Sequence, residues 1–158
     1  MTARKLRVLM VCLGNICRSP TAEVVLRERL RAGGLADRVQ VDSAGTGAWH
    51  VGSPPDARSQ RHALRRGYDL SALRARKVVD ADFSRFDLLL AMDHDNLADL
   101  ERLRPDDGDA KAELLLFATV EVPDPYAGGP DGFKRVLDIV EAASDHWVVA
   151  LRGRLGTS

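Results

Sequence analysis

The chain lacks most features that mark an exported, membrane-bound or nucleic-acid-binding protein. Its only cysteines, Cys12 and Cys17, stand five positions apart, which is no framework for a disulfide-stapled fold, and a reducing cytoplasm is the expected compartment. No apolar run approaches the length of a membrane span, and no membrane contact is expected. The start, "MTARKLRVLMVCLG", mimics a signal peptide, but its uninterrupted apolar run, Val8 to Leu13, is too short and no small-residue cleavage site follows. Charge of one sign is missing too. The 23 basic and 23 acidic residues balance, so no overall field draws the protein to nucleic acid or anionic lipid. Lysine is confined to Lys5, Lys77, Lys111 and Lys134. The histidines, His50, His62, His94 and His146, show no ligand spacing, so no metal site is expected. No repeat, low-complexity tract or linker divides the chain. Its 158 residues, 45% of them hydrophobic, suit one domain over 1–158, expected to act as a monomer.

What is present reads as strands alternating with helices. "LRVLMVC" (Leu6 to Cys12) suits a buried parallel strand, and "RVQVDSAG" (Arg38 to Gly45) alternates like a second. "FDLLLAM" (Phe86 to Met92) and "ELLLFA" (Glu113 to Ala118) supply the third and fourth. After the first strand, Ser19 is placed to cap a helix with Pro20 at its first position; Ala22, Val25, Leu26 and Leu30 share a face, and Gly33-Gly34 ends it. A second helix stops at Gly67. Asp93 is placed to cap a third carrying Leu97, Leu100 and Leu103, and Pro105 stops it. The last helix follows Pro130, with Phe133, Leu137, Val140, Ser144, Trp147 and Leu151 along one stripe. The pattern predicts an α/β three-layer sandwich with a central four-stranded parallel sheet flanked by helices.

The turn between the first strand and the first helix, within "VCLGNICRSPTAE" (Val11 to Glu23), holds the chemistry. Such a turn lies at the carboxyl edge of a parallel sheet, where α/β proteins bind ligands. Its backbone N–H groups and the helix N-terminus favour an anion. Gly14 lets the backbone approach closely, Asn15 tolerates left-handed geometry, and Arg18 adds a fork matched to phosphate oxygens. The loop lacks the Gly-Lys-Ser/Thr ending of a nucleotide-binding loop, and "GTGAWH" from Gly45 is no dinucleotide fingerprint. The same donors favour the thiolate form of a cysteine, so Cys12 is positioned as a nucleophile toward a bound phosphoryl group, with Ser19 able to donate to its sulfur. Read structurally instead, Cys12 is an inert core residue and Arg18 a surface charge.

With this turn the sequence resembles the low-molecular-weight protein tyrosine phosphatases. "VCLGNICRSPTAE" resembles their nucleophile loop, "VDSAGT" their second strand, "WHVGSPPDAR" a substrate-side loop, "FDLLLAMD" the third strand and "VPDPYAG" the segment that supplies a general acid. The resemblance implies that Cys12 attacks phosphorus to give a cysteinyl-phosphate while Asp124 protonates the leaving phenolate. Asp124 then activates the water that hydrolyses the intermediate. Arg18 and the loop, Leu13, Gly14, Asn15, Ile16, Cys17 and Ser19, bind the phosphate. Trp49 and Tyr126 are expected to wall a cleft so deep that the phosphotyrosine of a protein substrate reaches Cys12 while a shorter phosphoserine does not. Asp124 lies between Pro123 and Pro125 on a stiff segment, although "PDPY" is equally a plain turn. Cys17 either pairs reversibly with Cys12, as the resemblance implies, or fills space.

The chain departs from the family pattern in places. Ser43 matches one hydrogen-bond partner of Asn15, but the other, commonly a histidine, falls on Ala72, so a looser loop is expected. Ala127 stands where many members carry a second tyrosine, and the segment from Phe117 to Asp124 is short. A non-catalytic phosphotyrosine-binding module is the alternative that Ala72 keeps open. An arsenate reductase would need cysteines beyond Cys17. A phosphoarginine phosphatase favours threonine where Ile16 stands. The arginines from Arg58 to Arg76 read as a solvated basic surface able to attract acidic phosphopeptides.

Overall fold

The apolar run near the N-terminus is strand β1 (Leu6–Cys12), and every residue in it but Arg7 is buried. In a computed structural model, which describes residues 5–125 and 130–156, β1 lies inside a four-stranded sheet of order β2-β1-β3-β4. Strands β2 (Val39–Gly45), β3 (Leu88–Ala91) and β4 (Glu113–Leu116) all run parallel to their neighbours. Alternation along β1 builds two cores. Val8, Met10 and Cys12 face one way, with Val25, Leu26 and Leu30 of α1 (Arg18–Ala32) and Leu137, Val140 and Leu151 of α5 (Pro130–Arg154). Ala63 of α2 (Ala57–Arg65) joins this side. Leu9 and Val11 face the other way, against Phe83 of α3 (Asp82–Arg85) and Leu100 of α4 (His94–Leu103). The architecture is the expected sandwich with helices on both faces.

Differences from the sequence reading are local. The third strand is Leu88–Ala91 rather than Phe86 to Met92, because β1 pairs with it only from Val8 to Val11 before the chain leaves for α4. The fourth ends at Leu116 rather than Ala118. α1 begins at Arg18 and has no side-chain cap, so Ser19 lies inside the helix and its hydroxyl is used elsewhere. Asp93 caps α4 as expected, accepting from the Asn96 amide at 2.7 Å. Gly34 takes the left-handed conformation just past α1, φ +77°, as the Gly33-Gly34 pair implied.

Two β ends converge on the loop that follows β1. At the end of β2, Gly45 bridges to Lys77, and its amide donates to the Arg76 carbonyl at 2.8 Å. A side chain at Gly45 would stand 2.7 Å from the Leu13 carbonyl oxygen, so only glycine lets the nucleophile loop pass this close. At the end of β3, Met92 donates to Val11 and accepts from Val122. This second contact fixes the segment that carries Asp124.

Candidate active site

Cys12 ends β1, and the helix that follows begins at Arg18, so the intervening loop wraps the sulfur. Cys12 Sγ lies 3.0 Å from Ser19 Oγ and accepts from the Asn15 amide at 3.3 Å. Asn15 has φ +58°, the only non-glycine residue described with positive φ, as its short polar side chain allows. Its carboxamide is oriented without ambiguity, because Oδ1 meets the Arg76 amide at 3.0 Å and an N–H can only donate. Nδ2 therefore donates, to Ser19 Oγ at 2.9 Å and Ser43 Oγ at 3.0 Å. Because Ser19 accepts from Asn15, its own proton is left for the Cys12 sulfur. Ser43 in turn donates to Glu23 Oε1 at 2.7 Å, and Arg27 clamps the other carboxylate oxygen and the Val41 carbonyl. Burial pushes the Glu23 carboxyl above its usual range, against the pull of Ser43 and Arg27.

This chain of donors changes the expectation about Ala72. That residue is exposed, and Asn15 Oδ1 accepts instead from a backbone amide, that of Arg76. Arg76 is held in turn by its guanidinium on Asp82, at 2.9 and 3.0 Å. The loop is tied, not loose. Asn15→Ala is expected to lower the unfolding free energy by roughly 3 kcal/mol, from left-handed strain and the lost hydrogen bonds. Asn15→Gly, which tolerates the same φ, should lose about 1 kcal/mol less. Urea denaturation of the two variants checks the difference.

Arg18 is 4% exposed and its NH1 donates to Asp93 Oδ2 at 2.6 Å and to the Val122 carbonyl at 3.2 Å. Nε and NH2 remain for a bound oxyanion. Burial alone would lower the Arg18 pKa, but the negative charges of Cys12, Asp93 and Asp124 outweigh it and raise the value. Asp93 thus has two tasks, one carboxylate oxygen on α4 and the other on Arg18. Sequence reading found only the first. A signal for the second existed: Asp93 follows β3 at the same sheet edge as the nucleophile loop. Glu23 and Arg76 were also missed, Arg76 because its backbone rather than its side chain meets Asn15.

A cavity of about 190 Å³ brings the predicted residues together. Cys12, Leu13, Gly14, Ile16, Cys17 and Arg18 of the loop line it together with Trp49, His50 and Asp124. Asn15 and Ser19 act behind the sulfur, and Ser43 supports Asn15. Trp49 is 74% exposed, its ring lying over Gly47, where any side chain would collide with it. Tyr126, the other expected wall, lies outside the described residues. Cys17 is a free thiol, as is Cys12. Burial pushes Cys17 up to about 12, so it is a protonated space-filler packed with Ile16 and Ala75 in this state. A larger cavity of about 520 Å³, between the segment after β4 and α5, carries neither cysteine nor arginine. Among the described residues, no cluster of histidine, cysteine and carboxylate side chains is arranged to hold a metal ion.

Comparison with known proteins gives the same answer over nearly the whole chain. Residues 7–155 match the family model for low molecular weight phosphotyrosine protein phosphatase. A low molecular weight protein-tyrosine-phosphatase of Streptomyces coelicolor is 45% identical over 154 residues, covering 92% of this chain and 93% of that protein. Among solved structures, a protein tyrosine phosphatase from Entamoeba histolytica, crystallised with Hepes in its active site, superposes with a TM-score of 0.88 at 38% identity over 94% of this chain and 98% of that one. An arginine phosphatase from Drosophila superposes with a TM-score of 0.87 at 29% identity, over 93% and 98%. The chain is an enzyme of the low molecular weight phosphotyrosine protein phosphatase family.

Proposed function

We propose that the protein hydrolyses phosphotyrosine in protein substrates through a cysteinyl-phosphate on Cys12. The observation that carries this reading is the sulfur itself, set between two donors beside a buried arginine, in a cavity that Asp124 also lines. Cys12 attacks phosphorus and the phenolate leaves with the proton of Asp124. Arg18 and the loop hold the equatorial oxygens as charge spreads over them. Asp124, now a carboxylate, takes a proton from the water that attacks the phosphocysteine. Ser19 stabilises the departing thiolate, since its hydroxyl proton is directed at the sulfur by Asn15. The anchored Val122, two positions before Asp124, supports a segment with little freedom to swing.

Ile16 and Trp49 support an aromatic substrate: both line the cavity, one an apolar side chain and the other an exposed ring. Phosphotyrosine is favoured over phosphoarginine on Ile16. We read the protein as acting alone in the cytoplasm, without metal or other cofactor, since two cysteines five positions apart supply no disulfide framework.

Asp124→Ala is expected to slow turnover of phosphotyrosine peptides by about 10²–10⁴-fold. In kcat/KM, which reports the steps through leaving-group departure, the loss should be much smaller for p-nitrophenyl phosphate, whose leaving group departs without a proton. The kcat falls for both, because they share the hydrolysis of the phosphocysteine. Steady-state assays on both substrates, with phosphoserine and phosphoarginine alongside, test the reading. Equal losses in kcat/KM on the two aryl substrates would remove Asp124 as the acid. A preference for phosphoarginine would move the assignment to that activity, and vanadate binding without turnover would leave a binding module.

A further inference from the structure

We propose that the cleft between α2 and the start of α5 is a docking groove for negative charge on the substrate chain, so that the enzyme prefers phosphotyrosines flanked by acidic residues. This rests on the phosphotyrosine reading above. In a chain of zero net charge, α2 carries Arg58, Arg61 and Arg65 and no acidic residue. Together with the opposite wall it encloses about 300 Å³ lined by His62, Arg65, Arg66, Asp131, Lys134 and Leu137. Arg66 is largely neutralised by Asp138 and Glu141, at 2.9 and 2.5 Å, and Arg58 lies 3.5 Å from Asp56. Exposed Arg65 and Lys134 line the groove with Asp131 as the one acid in that lining, and exposed Arg61 lines the neighbouring cavity with Asp69. Burial, then Arg65, Arg61 and Arg66, push His62 of this lining below its ordinary range.

The groove leads from the active site. The Asp56 amide at the head of α2 donates to the Ile16 carbonyl at 2.8 Å, and Ser59 bonds the Cys17 thiol. On the α5 side, a side chain at Gly132 would stand 3.6 Å from Pro125, next to Asp124. Buried Phe133 of α5 anchors this side of α2, with the Arg58 guanidinium 5.0 Å from its ring centre and His62 stacked on it at 5.2 Å. From Arg58 to Arg65 the helix rises about 10 Å, which an extended peptide spans in about three residues. Acidic groups about two to five residues from the phosphotyrosine therefore reach the arginines. A glutamate or a second phosphate supplies the same charge.

The test compares wild type with the Arg61→Glu/Arg65→Glu double variant on phosphotyrosine peptides carrying glutamate, phosphoserine, alanine or lysine at those positions, before or after the tyrosine. Wild type should turn over the glutamate or phosphoserine peptide, on at least one side, with kcat/KM about fivefold above the alanine peptide. The gain should lie in KM and shrink as salt is raised. In the double variant the preference should vanish or pass to lysine, with p-nitrophenyl phosphate turnover unchanged. If that small-substrate turnover falls, Lys134→Glu on the opposite wall replaces the double variant, with the same expected loss of preference. Equal kcat/KM for all peptides in wild type, or an acidic preference that survives charge reversal, overturns the proposal. If no phosphotyrosine substrate is hydrolysed, the functional reading fails instead. Fluorescence anisotropy with the labelled peptides then tests the groove separately: acidic peptides must bind more tightly than alanine ones, or the groove is discarded.

Discussion

Cys12→Ser abolishes hydrolysis of every aryl phosphate, a loss on the order of 10⁴–10⁶-fold, while phosphate and vanadate still bind. The reason lies in the donors around the sulfur. Ser19 Oγ at 3.0 Å and the Asn15 amide at 3.3 Å are placed to donate to the sulfur, and it is as a thiolate that cysteine acts as a nucleophile. A serine hydroxyl keeps its proton under the same donors, and no histidine is hydrogen-bonded to the position to remove it. The binding machinery, Arg18 and the loop, is untouched. Stopped turnover with retained anion binding, read by steady-state assay and isothermal titration, is the expected pair of results. Retained turnover in the variant would mean that another group attacks phosphorus.

Arg18→Lys should cost on the order of 10³-fold in kcat, with phosphate binding weakened as well. Lysine keeps the charge but not the fork. In the native site the two edges of the guanidinium are divided: NH1 is spent on Asp93 and the Val122 carbonyl, which leaves Nε and NH2 for the phosphoryl oxygens. An ammonium at the end of a flexible stem cannot hold both partners and still meet two oxygens in plane. Asp93→Asn isolates the holding role. Asparagine still caps α4, so the helix survives, but the charge on Arg18's partner is gone. A loss of about tenfold in kcat is expected there, smaller than that of Arg18→Lys because the fork itself remains. Equal losses for the two variants would mean that Arg18 acts through the ion pair rather than on the substrate.

The parts of this site that were legible in the sequence are those whose grammar is local. Cys12 to Ser19 occupy one strand–loop–helix junction, and the need for a positive φ at Asn15 could be read from the residue type alone. The rest depends on contacts that no window of sequence contains. Arg18 and Asp93 are 75 residues apart, and Asn15 and Arg76 are 61 apart. The second contact uses a backbone amide, which carries no residue signature, so replacement of the usual histidine by Ala72 suggested a loosened loop where the structure has a tied one. Ser19 shows a local rule overruled. A serine at a helix start normally caps it, but here the sulfur one strand away and Asn15 claim the hydroxyl. α3 escaped notice because four residues are too few to display a helical period.

The central claim is that phosphate is carried on Cys12, and trapping it is the most direct test. Asp124→Ala, supplied with p-nitrophenyl phosphate, should form the intermediate readily, since that leaving group needs no acid, and hydrolyse it slowly, since the base is missing. Acid quench during turnover, followed by proteolysis and mass spectrometry, is expected to find one phosphoryl group on the peptide that contains Cys12, stable to acid and absent in the Cys12→Ser/Asp124→Ala double variant. A phosphoryl group on any other side chain, or brisk turnover with no covalent adduct at all, would contradict the account.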